Sequence, residues 1–139
     1  MVDKKTVKKT KVFQATGKRK TAIAKATLKE GTGMIRINSH RLDTITPYLA
    51  KERIREPLIL AGEDAKKVNI NVKTSGGGWS SQTEATRLAI ARTLTNYNKK
   101  LKKTFLDYDR HLLVADTRFK ETCKPNDSKA RAKRQKSYR

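Results

Sequence analysis

Along Thr21 to Lys29, Ala22, Ala24, Ala26 and Leu28 alternate with Thr21, Ile23, Lys25 and Thr27. A period of two belongs to a strand with one buried face. Val12 to Thr16 reads as a shorter strand before it, the two flanking Gly17-Lys18-Arg19-Lys20 as a loop. After the glycine-rich turn Glu30-Gly31-Thr32-Gly33, Met34 to Asn38 places Ile35 and Ile37 on one face, which predicts a hairpin with the preceding strand. Thr46 before Pro47 predicts an N-cap and a short helix to about Arg55, and Pro57 predicts the start of a second. Val68-Asn69-Ile70-Asn71-Val72 alternates again and predicts a strand that ends at Ser75. Gly76-Gly77-Gly78 must be a loop or a close approach. Beyond it, Ser81 and Glu84 have capping-box spacing, and Ile90, Leu94, Tyr97 and Leu101 mark one face of a long helix. Arg87 and Arg92 fall off that stripe, where a solvated face is the plain expectation. Phe105 to Phe119 holds Leu106, Leu112, Leu113 and Val114 but no single period.

Only 28 of the 139 residues are Leu, Ile, Val or Phe, so the core must be small. Charge changes the picture more. The formal net charge is +21, and it is uneven: residues 1–20 carry +7, residues 21–98 carry +5 and residues 99–139 carry +9. Two cationic ends around a nearly ordinary middle point to a polyanionic partner, with nucleic acid as the first reading. From Lys124 to Arg139 there are 7 basic residues, one acid and no aliphatic larger than alanine. Such a segment cannot bury enough apolar area to offset its ordering entropy and is expected to be a tail. Extended, it would reach on the order of 50 Å. The expected organisation is a basic extension over 1–11, a globular domain over 12–123 and a basic tail over 124–139.

Aliphatic runs of at most four residues predict no membrane span. A Lys-rich start without an apolar stretch and a lone cysteine, Cys123, predict a cytosolic protein without internal disulfides. Gly17-Lys18 lacks the earlier glycine and the following hydroxyl residue of a phosphate loop. Asp107 and Asp109 are the one carboxylate pair that could begin a metal site, while His40, His111 and Cys123 lie too far apart in sequence to suggest one. No metal or cofactor is expected.

Four stretches resemble the family of universal small-subunit ribosomal protein nine in its archaeal and eukaryotic form. They are Gly17-Lys18-Arg19-Lys20-Thr21-Ala22, Gly76 to Gln82 with Ala89-Ile90-Ala91-Arg92, Leu112 to Arg118 reading LLVADTR, and the terminus Lys129 to Arg139. The resemblance implies an α+β fold: a two-layer sandwich, with a four-stranded sheet and helices on one face, like the second domain of ribosomal protein five. It implies a non-catalytic structural role on cytoplasmic ribosomes. The implied partners are rRNA of the small-subunit head, the peptidyl-site tRNA and neighbouring head proteins. By family placement Lys136, Ser137, Tyr138 and Arg139 approach the tRNA anticodon stem-loop, and Lys129, Arg131, Lys133 and Arg134 meet rRNA phosphates. Lys18, Arg19, Lys20, Arg87 and Arg92 are further rRNA candidates. Two other readings of the residues stand beside this one: an RNA-processing enzyme built on Asp107 and Asp109, and a general compactor of nucleic acid.

Overall fold

The computed structural model describes residues 11–126 and 129–131. Strand β1, Val12–Arg19, pairs antiparallel with β2, Ala22–Glu30, from Val12↔Lys29 to Arg19↔Ala22. Only Lys20 and Thr21 leave the ladder, with Lys20 in the left-handed region at φ 53°. The expected loop over Gly17–Lys20 is therefore mostly strand. A two-residue connection suffices where one residue accepts positive φ.

The strand after β2 does not fold back on it. Strand β3, Ile35–Ile37, pairs antiparallel with the two-residue β4, His40–Arg41, and parallel with β5, Val68–Ser75, which itself lies antiparallel to β2. Among the described residues the sheet has five strands in the order β1-β2-β5-β3-β4, which corrects both the expected hairpin and the expected four strands. Asn69 explains the detour. Its Oδ1 accepts hydrogen bonds from the backbone N–H groups of Thr32 and Met34, both at 2.9 Å, so the glycine-rich turn is held across the start of β5 rather than closing on β2.

Helix α1, Tyr48–Ala61, is continuous through Pro57, where two short helices were expected. Ile54, Pro57 and Ala61 lie at spacings of three and four and are all buried, so packing outweighs the hydrogen bond the proline cannot donate. Gly62, at φ 55°, ends the helix by donating to the carbonyls of Leu58 and Ile59, and the single turn α2, Glu63–Lys66, leads into β5.

Helix α3, Trp79–Tyr97, starts at Gly78, with no side chain capping it. Ser81 lies inside the first turn, so the expected capping box does not form. The helix stops at Asn98, and Leu101, expected on its last turn, opens a separate helix α4, Leu101–Tyr108. Phe105 of α4, and Leu112 in the 3-10 turn Arg110–Leu112 that follows, are fully buried.

The core lies between one sheet face and the helices. Ala22, Ala24, Ala26 and Leu28 of β2 and Val68, Ile70 and Val72 of β5 face Ala85, Ala89, Ile90 and Leu94 of α3. Alanines let the helix approach closely, and Gly17 is the extreme case: a Cβ there would lie 2.0 Å from the carbonyl oxygen of Ala85. Side chains on the other sheet face are mostly exposed, so among the described residues helices cover one side only. Among the described residues no helix is long and apolar enough to cross a membrane.

Candidate nucleic-acid interface

The end of β1, the first half of α3, the middle of α1 and residues 109–118 surround an open cleft of about 460 Å³. β1 brings Lys18, Arg19 and Lys20, α3 brings Arg87, and the two remote motifs GKRKTA and LLVADTR meet. The Arg19 guanidinium lies 2.6 Å from Asp116. Asp116 also accepts from Arg118, through Nε at 3.0 and 3.1 Å, Nη2 at 2.6 Å and the backbone N–H at 2.9 Å. These bonds, with the charges of Arg118 and Arg19, hold the Asp116 carboxyl far below the usual carboxylate range. One carboxylate thus fixes two arginines, each a planar fork suited to phosphate. Lys18 lies over the Phe119 ring, 5.1 Å from its centroid, and the Arg118 side chain is 82% exposed.

Arg87 is not on a solvated face. It is 9% exposed, and its guanidinium reaches Glu56 at 2.5 Å and Asp109 at 2.9 Å. Burial opposes its charge, but the Asp109 hydrogen bond and the nearby Glu56 charge outweigh that cost and raise its pKa. Burial likewise opposes ionisation of Asp109. The backbone N–H of His111 and the Arg87 fork prevail and lower its pKa. The pair Asp107 and Asp109 therefore does not converge on a metal, since Asp109 is engaged by Arg87 and His111 while Asp107 is exposed. Among the described residues no group of three or more His, Cys, Asp or Glu could hold one.

Arg92 has a structural occupation too. Its Nη1 donates to the Thr16 carbonyl at 2.8 Å and its Nε to the Leu113 carbonyl at 3.0 Å, tying α3 to β1 and to the segment after α4. At the base of the tail Lys129 is exposed and Arg131 pairs with Glu121 at 2.8 Å. Lys133, Arg134, Lys136, Ser137, Tyr138 and Arg139 lie outside the described residues, as does the extension over 1–10.

Sequence reasoning missed Asp116 and Arg118 as a unit, although a carboxylate two residues before an arginine was a usable local signal. It also missed Arg53, which α1 places beside Glu84. Nothing in the sequence links those two positions.

The family model described as Ribosomal protein S9/S16 matches residues 17–139. The chain belongs to the ribosomal protein S9/S16 family. The Small ribosomal subunit protein uS9 of Methanococcus maripaludis, in strains C7, S2 and C5, is 48% identical over 133 residues, which is 93% of this chain and 99% of the relative. Membership in the S9 family gives the chain a structural ribosomal role and not a catalytic one. The S9 match opens at Gly17, on which α3 rests closely, and includes both motifs that meet at Asp116.

Proposed function

We propose that this S9-family chain is a structural constituent of the small ribosomal subunit, on cytoplasmic ribosomes. Its globular part, 12–123, docks on rRNA of the subunit head beside neighbouring head proteins, and its tail, 124–139, reaches the peptidyl-site tRNA. The observation that carries this reading is the family match from Gly17 to Arg139, which includes the basic tail together with the domain. In this reading Lys18, Lys20 and the Asp116-held Arg19 and Arg118 meet rRNA phosphates at the cleft. Arg87, engaged within the chain, shapes its wall, and Arg92 ties α3 to β1 and to the segment after α4. Lys129, Arg131, Lys133 and Arg134 neutralise rRNA phosphates along the tail, and Lys136, Ser137, Tyr138 and Arg139 lie nearest the anticodon stem-loop. Lys and Arg at such positions release counterions, which makes binding steeply salt-dependent.

The test is deletion of Arg139 in the full chain, incorporated into small subunits, with peptidyl-site tRNA affinity measured across a salt series. Affinity should weaken, the salt slope should fall by roughly one phosphate's share, about 0.7 to 0.9, and the melting temperature of the free protein should not change. Unchanged tRNA affinity, or a melting shift that accounts for the loss, would overturn the tail assignment.

A further inference from the structure

The sheet face that the helices leave uncovered carries Lys25 and Lys29 on β2, Lys73 on β5 and Arg36 on β3, all exposed, and among the described residues no carboxylate points to that side from any strand. Register sharpens the observation. Lys25 stands directly opposite Lys73, and Arg36 directly opposite Arg41 of β4, two like-charge pairs across adjacent strands. Like charges placed opposite one another destabilise a sheet. Among the described residues none of these five side chains has an ion pair or hydrogen bond to relieve the repulsion. The cleft differs: there Asp116, Asp109, Glu56 and Glu84 all hold arginines.

We infer that this open sheet face is a second RNA-binding surface, meeting the cleft at Lys18, on which Lys25, Lys29, Lys73 and Arg36 take backbone phosphates. The cations form a grid about one strand spacing wide between Lys25 and Lys73 and about 13 Å long between Lys25 and Lys29, too spread for a single small anion. Exposed Asn71 pairs with Arg36, and Thr16 pairs with Lys25, which sets hydrogen-bonding groups beside the cations, placed for ribose hydroxyls. An acidic protein is the competing polyanion. Protein interfaces are anchored by buried aromatic residues, and among the described residues no strand places an aromatic on this face, whose exposed apolar strand side chains are Val12 and Ile23. The surface is thus built for a sugar-phosphate backbone, and the identity of that RNA rests on the ribosomal reading above.

The experiment compares the full chain with K25Q/K29Q/R36Q/K73Q, measuring affinity for small-subunit head rRNA across a salt series and the melting temperature of each free protein. The salt slope of the variant should be lower by about three, from four lost phosphate contacts, while its melting temperature does not fall, because like-charge repulsion has been removed. K25R/K29R/K73R should keep the parental slope. If the fourfold variant does not fold, K25Q/K73Q alone should lower the slope by about 1.5. A folded variant with the parental slope overturns this surface while leaving the ribosomal reading intact. A parental chain that fails to bind the rRNA overturns that reading as well. Parental slope together with loss of the variant from reconstituted subunits would assign the face to an acidic protein and overturn the RNA assignment.

Discussion

Replacing Gly17 by alanine tests the central packing contact, between β1 and α3. The added Cβ would meet the Ala85 carbonyl oxygen at 2.0 Å and the Ala89 nitrogen at 2.8 Å, whereas ordinary contact begins near 3.4 Å. Both obstacles are backbone, so no side chain can swing aside, and the helix must retreat by more than an ångström or the strand must bow. Either movement pulls Arg92 from the Thr16 carbonyl, now at 2.8 Å. Overpacking costs about 1 to 3 kcal/mol, and rigid backbone on both sides places this case at the upper end. Alanine restricts the unfolded chain and returns roughly 0.5 kcal/mol. The net loss is about 2.5 kcal/mol, or on the order of 10 °C in melting temperature for a domain of this size. Thermal unfolding followed by circular dichroism reads it directly. Gly78, the N-cap of α3, is the control, because a Cβ added there would meet no atom within 4 Å: Gly78→Ser should match or slightly exceed the parent. A Gly17→Ala protein melting within about 2 °C of the parent would refute the reasoning.

Arg87→Gln should destabilise the protein by about 2 kcal/mol, because Glu56 and Asp109 lose a shared charged donor in a largely buried setting. Urea unfolding at neutral pH checks this, and a change below about 0.5 kcal/mol would mean that the network contributes nothing net. Acid should also weaken the fold through Asp109 and Asp116. Both carboxyls have pKa values lowered by folding, so their stabilisation is complete above the unfolded-state value, near pH 4, and is lost as pH falls through the folded-state values. Asp109→Asn with Asp116→Asn should therefore flatten the decline of stability below about pH 4, and an equally steep decline in the double variant would contradict it.

Local patterns in the sequence carried the strands β2 and β5, the glycine turns and the existence of a long helix after Gly76-Gly77-Gly78. Each depends on neighbours two to four residues apart, where side-chain period and backbone preference act directly. The basic ends were equally legible, because charge is a property of composition. The tertiary structure alone decided what crosses the chain. Insertion of β5 between β2 and β3 depends on Asn69 reaching Thr32 and Met34, and continuity of α1 through Pro57 depends on a core that no local rule describes. The site divides in the same way. Lys18, Arg19 and Lys20 stood out as a run of cations, but the carboxylates that hold Arg19 and Arg87 come from α1 and from residues 109–116. Whether an arginine faces solvent or is claimed inside the chain is set by those distant partners, and only folding brings them within hydrogen-bonding distance.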